Sequence, residues 1–239
     1  MKYYRLMSSL PAMPQAPEPP PIRLTEMVPA LRVDLTEGHW TLAEALLLSF
    51  DMNNVEAMLV HRDAPLDPRA LATGPSVFPG SELPQFAADL LRRGEEGSLS
   101  ASEAIPAVWR GYYGYLADLS ETSGVEFLRQ FVGFELPLRN ALYRQRAERL
   151  GMDASSQLLE EPSGGARHDE LLARLAEESE PLAREKLLDT ARLRAFDSFS
   201  GTDPFSIDAV MAYVASAIVL DRWDLPRTAD TKEMLEVFA

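Results

Sequence analysis

Apolar residues recur at helical spacing along most of this chain, and no segment sustains an alternation of period two. A half-buried strand needs that alternation, and runs of alternating β-branched residues are missing. The spacing therefore predicts an all-α fold: a multi-helix bundle built from two or three similar helical lobes, with a proline-rich N-terminal arm. With 239 residues, 46% of them hydrophobic, the chain can enclose a sizeable core.

Prolines at 11, 14, 17, 19, 20 and 21 keep the stretch Pro11–Pro21 out of a helix and predict an extended arm or linker there. Helical segments are then expected at Arg23–Val33 and Thr41–Leu59, the second with Thr41 as N-cap and Glu44 completing a capping box. Asp51–Asn54 interrupts its apolar pattern. Proline and glycine between Arg62 and Gly80 predict a loop. Further helices are expected at Leu83–Leu91, Ser102–Leu119 and Val125–Leu150, the last stopped by Gly151 and kinked or split by Pro137 near Glu135–Leu136. Pro162–Gly165 reads as a joint. Helices follow at His168–Leu175, Leu182–Ala195, Ile207–Trp223 and Thr228–Phe238.

Composition excludes several chemistries. There is no cysteine, so disulfides, zinc–thiolate centres, iron–sulfur clusters and thiol catalysis are all excluded. No lysine follows a glycine, no G-x-G-x-x-G or G-x-S-x-G occurs, and His39, His61 and His168 have no metal-ligand spacing. His168-Asp169-Glu170 lies beside Gly164-Gly165 in an expected solvated joint and suggests no catalysis. No catalytic residue, cofactor site or metal site is expected, and the protein reads as a non-enzyme. A net charge of −14 repels phosphate, so no nucleic-acid partner is expected. The longest apolar run, Ala209–Leu220, is too short to span a bilayer and predicts a buried helix. The prolines also interrupt any secretory apolar region, so a cytoplasmic protein is expected, peripheral to the cytoplasmic face of the inner membrane at most.

One pattern occurs three times: an apolar helix, an aromatic-plus-acid pair and a second helix, in Leu46–Arg62, Leu128–Gly151 and Ser216–Phe238. The pairs are Phe50-Asp51, Phe134-Glu135 and Trp223-Asp224, roughly 85–90 residues apart. Each aromatic would anchor a corner and each acid would cap the following helix. This divides the chain into an arm with a first lobe over 1–78, a second lobe over 79–162 and a third over 163–239. Within the second copy, Arg139, Asn140, Arg144, Arg146 and Arg149 make the one locally basic stretch, with Tyr143 among them. They are candidates for a partner-facing or inter-lobe polar network, since arginine pairs bidentately with carboxylates.

These residues resemble two related groups of proteins. The arm Tyr3-Tyr4-Arg5-Leu6-Met7-Ser8-Ser9-Leu10-Pro11 is similar to the Tyr-Tyr-x-Leu-x-x-Ser-Leu-Pro start of an uncharacterised bacterial family encoded with V/A-type ATPase subunits. Leu47-Leu48-Ser49-Phe50-Asp51-Met52-Asn53-Asn54 and Leu138-Arg139-Asn140-Ala141-Leu142-Tyr143-Arg144-Gln145-Arg146-Ala147 are similar to two further elements of that family. More distantly, the threefold pattern resembles the central-stalk connector of archaeal and eukaryotic V/A-type ATPases, a funnel of three helical lobes.

The resemblance implies a non-catalytic subunit or accessory protein of a bacterial V/A-type rotary ATPase, seating the central shaft on the membrane ring and so serving ion or proton transport. The shaft and the membrane ring would be its partners. The alternatives are a generic helical protein-interaction adaptor unrelated to ATPases and an RNA-binding helical protein using the Arg139–Arg149 face.

Overall fold

The computed structural model describes residues 2–60, 65–74 and 78–224. Among these the protein is all-α, with nine α-helices, two single 3-10 turns and no strand. The helix expected at Thr228–Phe238 lies outside the described residues. The chain forms two compact units: a central one over Leu35–His168 and a terminal one that joins Met1–Asp34 to Asp169–Ala239. These boundaries differ from those of the three segments marked by the sequence repeat.

The central unit holds α3 (Glu37–Leu59), α4 (Gln85–Glu95), α5 (Ala101–Ser123) and α6 (Glu126–Leu150). Helix α5 packs on both α3 and α6, and α4 lies against α3 and α5. Glycines set the close approach of α4. A Cβ on Gly94 would meet Leu59 Cδ2 at 2.5 Å, and one on Gly111 of α5 would meet the Phe86 ring at 2.3 Å. Leu42, Leu46, Met52, Leu116, Phe127, Leu128 and Leu138 are fully buried between the helices.

Caps define the helix ends. Helix α3 starts earlier than expected: Thr36 is its N-cap and accepts the His39 N–H at 3.4 Å, while Thr41 lies inside and returns its hydroxyl to the Glu37 carbonyl. Ser100 and Glu103 form the capping box of α5. Gly151 ends α6 at φ +64°, the left-handed conformation that costs glycine least.

Helix α6 is not split; it runs through Pro137 as one element. Proline has no N–H, so the Gly133 carbonyl one turn earlier loses its helical donor. The Ala166 N–H supplies the missing bond at 2.8 Å. Pro106 frees the Ser102 carbonyl of α5 in the same way, and Gln157 Nε2 donates to it at 3.2 Å. Both replacement donors come from the segment after α6, which acts as a strap.

The terminal unit comprises α1 (Tyr4–Ser9), α2 (Leu24–Asp34), α7 (Asp169–Glu177), α8 (Pro181–Phe199) and α9 (Ile207–Asp221). Helix α9 is apolar all round, and it is buried accordingly, with Val210, Met211, Val214 and Leu220 sealed from solvent. It packs on α8 and α2. Among the described residues no helix is long and apolar enough to cross a membrane. The N-terminal residues dock on this unit. Tyr3 and Leu6 are buried, the Tyr3 N–H donates to the Phe205 carbonyl at 2.8 Å, and Lys2 pairs with Asp203 at 3.0 Å.

Candidate functional site

The charged and amide side chains singled out in α6 meet the strap. Asn140 is fully buried and reads the backbone of Leu159 from both sides: Nδ2 donates to its carbonyl at 2.8 Å, and its N–H donates to Oδ1 at 3.0 Å. Nδ2 also reaches Glu161 Oε1 at 2.9 Å, which Arg144 approaches at 3.1 Å. Arg139 donates to the Gln157 carbonyl at 3.2 Å. Its guanidinium lies 5.3 Å from the Tyr143 ring centre and 5.9 Å from that of Trp109. Burial pulls its pKa below the ordinary arginine value, against the opposing influence of Tyr113, Tyr143 and Glu56.

The five candidates therefore divide. Arg139, Asn140 and Arg144 tie the strap to α6. Arg146 and Arg149 are exposed on the last turns of that helix, where positive charge suits the dipole end. Leu150 and Met152, beside them in sequence, are 59% and 64% exposed.

The aromatic-plus-acid pairs are not corners in the first two copies. Phe50 and Asp51 sit inside α3, and Phe134 and Glu135 inside α6; both helices run on unbroken. The acids therefore do not cap a following helix. Asp51 faces inward and accepts the N–H groups of Leu71, Ala72 and Thr73 at 2.7–3.0 Å, together with the Thr73 hydroxyl. A carboxylate with several such donors can be buried at little net cost. Phe50 stacks under the Arg69 guanidinium at 4.4 Å. Glu135 is buried, and Phe134 meets His168 edge-on at 4.8 Å. Only the third pair follows a helix end: Trp223 and Asp224 lie in the 3-10 turn Arg222–Asp224. Trp223 Nε1 donates to Asp189 at 2.8 Å, and Asp224 pairs with Arg23 at 3.1 Å.

Three structural roles escaped the sequence reading. Asn54 does for the 65–74 segment what Asn140 does for the strap, exchanging bonds with the backbone of Asp67 at 2.7 and 3.3 Å. Asp189, fully buried in α8, holds Arg222 as well as Trp223. His168 is buried with Nε2 at 3.0 Å from the Phe134 carbonyl, so it belongs to the packing and not to a solvated joint. A polar residue on an otherwise apolar helical face was the available signal for Asn54 and Asp189.

No family model, no curated protein and no solved structure matches the chain. Among the described residues no group of three or more histidine, aspartate or glutamate side chains is arranged to hold a metal ion. In the central unit, polar residues of α3 and α6 fix backbone segments in place; in the terminal unit, Asp189 of α8 holds the Arg222 and Trp223 side chains. The chemistry is that of a rigid polar framework.

Proposed function

We propose that this protein is a non-catalytic helical subunit or accessory protein of a bacterial V/A-type rotary ATPase, a central-stalk connector between the shaft and the membrane ring. One observation carries the reading: the segments that carry the resemblance have specific work in the fold. Tyr3 and Leu6 of the arm are buried against the terminal unit. Asp51 and Asn54 of the second segment, and Asn140 of the third, anchor backbone from inside long helices.

A connector of this kind transmits load by packing and ion pairs. Helices whose flanking segments are pinned by side chain-to-backbone bonds suit that task, because a load cannot peel the segment away without exposing buried polar groups. Arg146, Arg149 and Met152 are the partner-facing residues, on the expectation that mixed arginine and apolar surface makes a binding patch.

The test is co-purification with rotary ATPase subunits from host membranes, comparing wild type with an Arg146→Ala, Arg149→Ala, Met152→Ser variant. The expected result is loss of the ATPase subunits with the circular-dichroism melt unchanged. Recovery of wild-type amounts by the variant removes this surface. Absence of those subunits from the wild-type sample removes the ATPase reading and leaves the adaptor.

A further inference from the structure

A groove of about 400 Å³ opens in the central unit, on the face of α5 where Pro106 interrupts the helical hydrogen bonding. Its construction follows from that proline. The Ser102 carbonyl freed by Pro106 is taken by Gln157, and the Gln157 carbonyl is held by Arg139. Ser156 is thereby fixed alongside Ser102 as one wall. Leu99, Pro106 and Ala107 supply apolar surface. Arg93 and Arg110 also line the groove, and neither has a carboxylate within ion-pair distance among the described residues, unlike Arg92, Arg129 and Arg144. The one acid present, Glu103, is occupied by the Ser100 N–H at 3.1 Å and feels the Arg93 charge only at longer range.

We infer that this groove is a docking site for an acidic segment of a protein partner, with partner carboxylates paired to Arg93 and Arg110 over the apolar surface. Charge complementarity selects the occupant. In a chain of net charge −14, two guanidinium groups without an ion pair among the described residues share one concave surface with a single acid. The apolar lining favours a peptide over a free inorganic anion. The volume lies in the range of about 300–1,000 Å³ usual for ligand-sized sites. The docking site stands independently of the rotary ATPase reading, since it uses a different surface.

The experiment selects binders from a phage-displayed dodecapeptide library on the full-length protein. The affinity of the enriched peptides is then measured by fluorescence anisotropy. The expected outcome is enrichment of peptides with at least two carboxylates, whose affinity falls about ten-fold or more in an Arg93→Glu, Arg110→Glu variant. Arg194→Glu, on exposed surface of α8, leaves the affinity unchanged. Both variants are checked by circular dichroism, and Arg93→Gln, Arg110→Gln replaces the charge reversal if folding suffers. The docking site is overturned if no acidic peptide is enriched, if the double variant binds equally well, or if Arg194→Glu lowers affinity as much. Single-stranded RNA that competes with the peptides and is lost with the same variant would reassign the groove to phosphates and also overturn it.

Discussion

A buried side chain that replaces a backbone partner is the recurring device at the level of single residues. Asn140 satisfies both the N–H and the carbonyl of Leu159, itself buried. Removing the amide strands two backbone groups, each costing about 1–3 kcal/mol. Asn140→Ala should therefore destabilise the protein by about 3 kcal/mol in chemical denaturation, and a change under about 1 kcal/mol would contradict the role given to it. Asp51→Ala should cost at least as much, because three N–H groups and a hydroxyl lose their acceptor together. Tyr213 gives a pH-dependent case. Its hydroxyl donates to the Pro11 carbonyl at 2.9 Å, and burial pushes its pKa up to about 12 from the ordinary tyrosine value of 10.0. An acid raised in the folded state contributes nothing pH-dependent below the unfolded value, where both states are protonated. As pH rises from about 10 towards 12 the unfolded state ionises first, so stability falls across that window. Tyr213→Phe should flatten part of this alkaline loss in denaturation measured along pH; an unchanged slope would contradict the assignment.

Helices α5 and α6 show how an element absorbs an internal proline. Each loses one i→i−4 bond, and each freed carbonyl finds a donor in the strap. Gln157→Ala should cost about 1 kcal/mol in the native sequence but little when Pro106→Ala has restored an N–H for Ser102. A double-mutant cycle with a coupling near zero would contradict this. The boundaries of α6 were legible because caps are local, Gly151 and the run Val125–Leu150 carrying their own signals, whereas α5 runs on to Ser123, past the expected Leu119. The interior of α3 was less legible. Asp51 and Asn54 look like a break because polarity in a sequence does not distinguish a residue facing solvent from one facing a buried loop. Their partners lie 13–22 residues onward, beyond any local pattern. The same blindness turned Phe50-Asp51 and Phe134-Glu135 into corners, and made His168 look solvated. Within the basic stretch, composition could not separate Arg139 and Asn140, which look inward, from Arg146 and Arg149.

At the scale of the molecule, the central unit is one continuous stretch with its own core, while the terminal unit needs both ends of the chain. A fragment of residues 35–168 should unfold cooperatively on its own, as judged by a sigmoidal urea transition with native-like helicity; a gradual, non-cooperative loss of signal would contradict the division. The all-α class was readable from periodicity alone, because the period of the apolar pattern reports the element type directly. The functional proposal rests on resemblance alone. The most direct test of that reading is affinity purification of the tagged full-length protein from gently solubilised host membranes, followed by mass spectrometry. Co-purification of the catalytic, shaft and ring subunits of a rotary ATPase is the predicted result. Recovery from the soluble fraction alone, without any of those subunits, would contradict it.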